Sequence, residues 1–304
     1  MAAIVERPAV SGISLLVPAL LLVALTGTLS LQAGLVGPST TKAALANPET
    51  VTIPPRTFAY RDHGEFRQGG HDIDAPLVTI DRTAPLAVMK YQVTVGEYAR
   101  CVTDGACLPA ALPAASRDDV PVTGTSYDDA RAYADWLSAR TGSIWTLPSD
   151  EDLAFAAGKE FPDDALGLAN DPDNPAIRWL ADYKREAARK ASRDPLPQPR
   201  GRYGENEFGL SDFGGNVWEW TATCQRRVSL DLDGNIARQT ETCGIYIATG
   251  KHRSPMSFFI RDPKGGGCSV GTPPDNLGFR LVRDDGWLAR IAWKLRQKGL
   301  DFMA

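Results

Sequence analysis

Histidine is scarce in this chain: His63, His71 and His252 are the only three in 304 residues. A non-haem iron site built on imidazoles would need all of them to converge. Basic residues are outnumbered, 33 Lys and Arg against 37 Asp and Glu, and the net charge of −4 offers no basic footprint for nucleic acid. No tandem repeat appears, which argues against solenoids and propellers. Beyond residue 31 no apolar run is long enough to cross a bilayer. What remains, 43% hydrophobic and 23% charged residues, is ordinary for a globular protein. The length suits one large domain or two small ones.

The first 46 residues read differently. Ser11–Leu31 carries no charge and follows a short segment with Arg7, and Ala44-Leu-Ala46 is a pattern suited to signal peptidase. Glu6 offsets Arg7, and the apolar stretch is long enough to stay in a bilayer. Residues 1–46 therefore read as a signal peptide, or as a signal anchor with its tether. Residues 47–56 read as a linker. The expected location is periplasmic or otherwise extracytoplasmic, with membrane contact through the N-terminal segment if it is not cut.

An exported chain with five cysteines reads first as disulfide-bonded. Cys101 and Cys107 enclose a tight loop and are the first expected pair. Cys224 and Cys243 bracket a polar, hairpin-like insert at Asp231–Asn235 and are the second. Cys268 is left over in a glycine-rich stretch, either as a small buried hydrophobe or as an accessible thiol.

Along the chain, Thr57–Tyr60 and Leu77–Ile80 read as short strands. Tyr91–Val95 is β-rich and leads into a short helix over 96–102. Ser126 with Asp129 is a capping-box start for a helix that Gly142 stops. After a strand at Trp145–Leu147, Ser149 caps a second helix through Ala157, and Asp150, Glu151 and Asp152 favour its dipole. A short helix is expected over 177–191. Residues 286–304 have an amphipathic period with Arg290, Lys294 and Lys298 four apart. They read as a terminal helix lying on the domain, the alternative being weak attraction to a membrane.

Everything is organised around Gly209–Trp220, GLSDFGGNVWEW. Its glycines permit φ > 0 and close approach of carbonyls. Asp212 and Glu219 supply hard oxygens that could serve a calcium ion, or Asp212 and Asn216 cap turns while Trp218 and Trp220 pack inside.

This run resembles the signature of the formylglycine-generating-enzyme (sulfatase-modifying factor) family. Three further pieces resemble that family in order: Tyr91–Tyr98, the block from Pro121 to Pro148, and the closing Asn276–Val282 with its Gly-Phe-Arg. The resemblance covers roughly residues 58–284. It implies an α+β fold, a single irregular domain over 57–285 related to the C-type-lectin fold and low in regular structure. It also implies a structural calcium held by Asp212, Glu219 and the carbonyls of Gly215 and Val217.

The chemistry implied by the resemblance is incomplete. Family members that make formylglycine hold copper with two thiolates four residues apart, in the interval before Gly-Phe-Arg. Here that interval contains Cys268 alone. A related branch holds iron with three histidines, and a third, linked to siderophore maturation, keeps the fold without those ligands, so the fold does not fix the reaction. The pattern around Gly250–Arg253, Cys268 and Arg280 is also similar to the subgroup called NirV, associated with copper nitrite reductases.

Three readings follow. The first is an accessory or maturation factor that binds a protein or peptide partner, such as a periplasmic redox enzyme, without copper-thiolate oxidation. Arg253, Arg261 and Arg280 would bind the substrate. The second is an oxidoreductase whose copper or iron uses Cys268 and His252 as catalytic residues, with Met256 nearby. The third is a calcium-stabilised, lectin-like binding module.

Overall fold

The computed structural model describes residues 44–112, 116–165, 196–264, 276–284 and 286–297, with Leu180 and Lys184. The N-terminal apolar stretch, Cys268 and most of the helix expected over 177–191 lie outside the described residues; Leu180 and Lys184 are helical. Leu45–Ala304 form one compact unit, and its described residues are mixed α and β, with short helices and three sheets.

The first sheet has four strands in the order β1 (Thr50–Ile53), β6 (Leu86–Met89), β12 (Val282–Asp284), β7 (Ile144–Thr146). Strand β1 falls inside the expected linker, so that assignment is corrected. Thr50–Ile53 pairs antiparallel with Leu86–Met89, and Ile53 is fully buried. A Thr/Val/Ile run among prolines is strand-forming once a partner edge is present, and the prolines flank the pairing rather than interrupt it.

The second sheet is dominated by one long hairpin, β8 (Trp218–Leu230) and β9 (Ile236–Thr249). Its turn is made locally. Asp231 Oδ1 accepts the amides of Asp233 and Asn235, and Gly234 takes φ +85°, as an Asx-turn requires. Strands β10 (Arg253–Ser257), β3 (Glu65–Gln68), β4 (His71–Ile73) and the short parallel β11 (Leu277–Gly278) complete the sheet. The expected strands near Thr57 and Leu77 are β2 (Arg56–Arg61) and β5 (Leu77–Arg82), paired with each other.

Helices α1 (Val95–Thr103), α2 (Tyr127–Thr141) and α3 (Asp150–Ala157) each start in a complete capping box, Thr94/Glu97, Ser126/Asp129 and Ser149/Asp152. Gly142 closes α2 with φ +77°. Towards the C-terminus, helix α4 spans Trp287–Gln297. The buried hydrophobics form two clusters. One gathers Tyr98, Tyr133, Trp145, Trp220 and Phe279; the other gathers Ile53, Leu153, Phe155, Leu210 and Phe213.

Both expected disulfides form, Cys101–Cys107 and Cys224–Cys243. The first ties the end of α1 to the following loop. The second closes the hairpin across 19 residues, a loop whose cross-link contributes about 3 kcal/mol in the chain-entropy account. Two disulfides fit an oxidising, extracytoplasmic environment, and no described helix is long and apolar enough to cross a membrane.

Near the far end of the hairpin, Arg226 Nη2 donates to Asp62 Oδ2 at 2.5 Å and to the His63 carbonyl at 3.0 Å. Burial pushes the Asp62 carboxyl up, but hydrogen bonds from His63 and Arg226 outweigh burial and hold it below its ordinary value. The stability this carboxylate contributes is therefore present above about pH 4 and lost as pH falls through its lowered folded value. Denaturant melts of Asp62→Asn should show a deficit of about 1–2 kcal/mol at pH 6 that closes between about pH 4 and 2. A deficit independent of pH would contradict this account.

Candidate functional site

The Gly209–Trp220 turn is built by backbone geometry that few residues tolerate. Asp212 takes φ +61°, the one non-glycine with positive φ among the described residues, which a short polar side chain can accept. At Gly215 a Cβ would meet the Tyr203 ring at 2.7 Å, so any side chain there would displace Tyr203. Asn216 clasps the backbone of Gln198, accepting its amide at 2.9 Å and donating to its carbonyl at 2.8 Å. Asp212 Oδ1 accepts the amide of Tyr203 at 2.8 Å, and Oδ2 that of Gly201 at 2.5 Å. The turn thus holds the 198–203 loop against itself.

Behind the turn lies a fully buried ion pair. Strand β11 pairs with β8 while β12 pairs with β6 and β7, so Phe279–Leu281 cross from one sheet to the other. Arg280 sits at that crossing, and both it and Glu219 have no exposed surface. Arg280 Nε and Nη2 reach Glu219 Oε2 and Oε1 at 2.6 and 2.8 Å. Its remaining N–H groups go to the carbonyls of Met89 at 3.2 Å, Lys90 at 3.0 Å and Ser211 at 2.9 Å. All five guanidinium donors are used. Gln92 Nε2 adds bonds to Glu219 Oε1 at 2.8 Å and to the Asp212 carbonyl at 3.1 Å.

One expectation changes here. Arg280 cannot reach a substrate, because it is enclosed and its planar fork is matched to Glu219. In the expected calcium set Asp212, Gly215, Val217 and Glu219, both carboxylates have hydrogen-bond partners within the protein. Each oxygen of the two carboxylates already accepts a hydrogen bond, whereas calcium needs six to eight oxygens turned toward it. Arg280 supplies the positive charge that Glu219 requires.

Arg253 is also committed internally. Its side chain is 9% exposed and contacts Asp150 Oδ2 at 3.1 Å, Asp164 Oδ2 at 2.9 Å and the Arg61 carbonyl at 2.8 Å. Burial opposes its charge, but Asp150 and Asp164 outweigh that and hold its pKa above the ordinary arginine value. His252 is buried with its ring edge-on to Trp218, centroids 3.9 Å apart. Met256 lies in the aromatic core with its sulfur near Ser254 Oγ. Cys268 falls outside the described residues, so no contact with His252 is defined.

The histidines do not converge. His252 meets Trp218 at one end of β8, while the His63 carbonyl meets Arg226 eight residues along the strand. Eight strand residues span roughly 25 Å. An iron site from His63, His71 and His252 is therefore not formed.

Of the three arginines, Arg261 alone is partly open. Its side chain is 33% exposed, with Nη2 on Asp129 Oδ1 at 2.7 Å and Nη1 on the Pro109 carbonyl at 3.0 Å. Phe258 ties to the start of α2 through Tyr127, whose amide donates to its carbonyl. These bonds bring the 108–112 loop and the 258–261 turn to one rim, where Leu108, Leu112, Phe258 and Phe259 are all exposed. Cys268, outside the described residues, follows seven positions after Arg261 in sequence.

Sequence reasoning missed Gln92, and it read Asp150 only as helix-capping. Gln92 stands as a lone amide in the apolar run beside Tyr91, a cue that a buried polar partner waits. Asp150 is fully buried, paired with Arg253 and bonded to Thr249 Oγ1, although its place in a helix's first turn suggested a solvated role.

The family described as "Sulfatase-modifying factor enzyme 1-like domain" matches residues 36–285. The chain belongs to this family. Among curated relatives, it is 27% identical over 173 residues to "Inactive C-alpha-formylglycine-generating enzyme 2" of Bos taurus, covering 55% of this chain and 52% of that protein. It is 34% identical over 191 residues to "Formylglycine-generating enzyme" of Mycobacterium tuberculosis, covering 56% and 59%. The chain thus spans between half and three-fifths of these relatives' length. Among solved structures, PvdO from Pseudomonas aeruginosa is similar at 22% identity and a TM-score of 0.49, covering 78% of this chain and 94% of that one.

The Arg280–Glu219 pair gives this family member a sharp energetic signature. Glu219→Gln or Arg280→Met alone leaves an uncompensated buried charge or its orphaned partners, and each should cost about 3–5 kcal/mol. Equilibrium unfolding of both variants tests this; a loss below 1 kcal/mol in either would show that the pair is not the structural centre.

Proposed function

We propose that this chain is an exported accessory or maturation factor that binds an extended segment of a protein partner and does not make formylglycine through paired thiolates. The cysteine inventory carries the reading. Four of the five cysteines stand in the two disulfides, leaving Cys268 as one thiol. One thiol cannot supply the two soft donors that such a copper centre would take from the chain. The likeness to relatives named inactive supports the same reading.

The partner would lie along the rim of Leu108, Leu112, Phe258 and Phe259, with Arg261 giving a fixed donor beside apolar anchors. An exposed apolar patch marks an interaction surface, and aromatic and arginine side chains are enriched among the residues that dominate binding there. Arg261 is held by Asp129, whose other oxygen caps α2, so the guanidinium is fixed in place before a partner arrives.

Purified protein incubated with copper(I) and a cysteine-containing sulfatase peptide should yield no aldehyde by mass spectrometry. Peptides enriched on it from a display library should lose at least tenfold in affinity with Phe259→Ser or Arg261→Ala, while the disulfides and melting curve stay intact. Aldehyde formation would overturn the reading. So would enriched peptides indifferent to both substitutions.

A further inference from the structure

Helix α4 presents a face that the domain does not cover. Trp287 is 69% and Ile291 46% exposed, one helical turn apart, and Arg290 between them is exposed too. At 100° per residue, positions 287, 290, 291 and 294 fall within an arc of roughly 100°. That arc therefore carries tryptophan, isoleucine, arginine and lysine. Trp293 and Leu295, on other sides of the helix, are partly covered, and α4 lies against β7.

The charge is as distinctive as the apolar content. From Trp287 to Leu300 there are four basic residues, Arg290, Lys294, Arg296 and Lys298, and no acidic one, in a protein of net charge −4. Cations here share the arc with the exposed apolar side chains. A dry protein groove would have to desolvate Arg290 to take up Trp287 and Ile291, which is costly. A lipid headgroup layer needs no such sacrifice. It admits an indole and an aliphatic side chain to its acyl boundary while the cations stay wet against anionic headgroups.

We propose that α4 is an interfacial helix that rests on an anionic membrane surface. Each cation near such a surface strengthens attachment about fivefold, and one helix of this kind binds reversibly. The same chain carries the uncharged, apolar stretch Ser11–Leu31, which has enough residues to enter a bilayer. Where that stretch is retained rather than cleaved, two attachments on one chain hold far more firmly than either.

The test is hydrogen–deuterium exchange on the full chain, in nanodiscs of phosphatidylcholine alone, in nanodiscs containing phosphatidylglycerol, and in detergent. Amides of 287–297 should exchange at least tenfold more slowly in the anionic discs than in the other two samples. Trp287→Ser combined with Arg290→Gln should abolish that slowing and leave exchange in α2 and α3 unchanged. Equal exchange in both lipids would overturn the proposal, as would slowing that survives the double substitution. Protection in detergent that grows with protein concentration would overturn it as well, since a second copy would then be covering the face.

Discussion

The structure depends on one guanidinium. Arg280 sits where the closing segment passes between two sheets, and its five donors bind one carboxylate and three backbone carbonyls from separate parts of the chain. Those carbonyls belong to Met89 and Lys90 beside β6 and to Ser211 in the glycine-rich turn. The carboxylate, Glu219, belongs to β8. Buried charge of this kind is unfavourable unless every hydrogen-bonding position is met, and here it is. In a fold with short helices and long loops, such a centre fixes register that apolar packing alone leaves loose. The pair also lies beside Gln92, whose amide joins Glu219 to the Asp212 backbone, so turn, strand and crossing are one hydrogen-bonded unit.

Around that centre the chain places its polar residues in two different regimes. Arg253 and Asp150 are enclosed and paired, and tie α3 to β10, with half-buried Asp164 on the other side of the guanidinium. Arg261 and Asp129 stand at a rim with exposed aromatic neighbours. The distinction matters because all three arginines look alike in sequence, and only burial separates a cation enclosed in the fold from one left partly open at its surface. The cysteines divide in the same way: four lock loops, and one is left with no second thiol to share a soft metal.

Much of the scaffold was legible beforehand. The capping box at Ser126, the N-cap at Ser149, the Gly142 stop, the polar turn at 231–235 and both disulfides follow from local chemistry, which spacing alone reveals. The family was legible in Gly209–Trp220 because its glycines and paired tryptophans have few other uses together. Strand β1 was hidden, since a Thr/Val/Ile run between prolines has no strand signal until β6 supplies an edge. The fate of Arg280 and Glu219 was hidden for a related reason. Two residues 61 positions apart become a pair only when the chain crosses between sheets, and a carboxylate that could face a cation is the same residue that can face an arginine.

Whether this centre is an ion pair or a cation cage is decided by differential scanning calorimetry on protein stripped with EGTA and then resupplied with calcium. The account predicts the same melting temperature in all three states, because Arg280 and backbone amides already satisfy Glu219 and Asp212. A fall in melting temperature on stripping that calcium alone restores would contradict it.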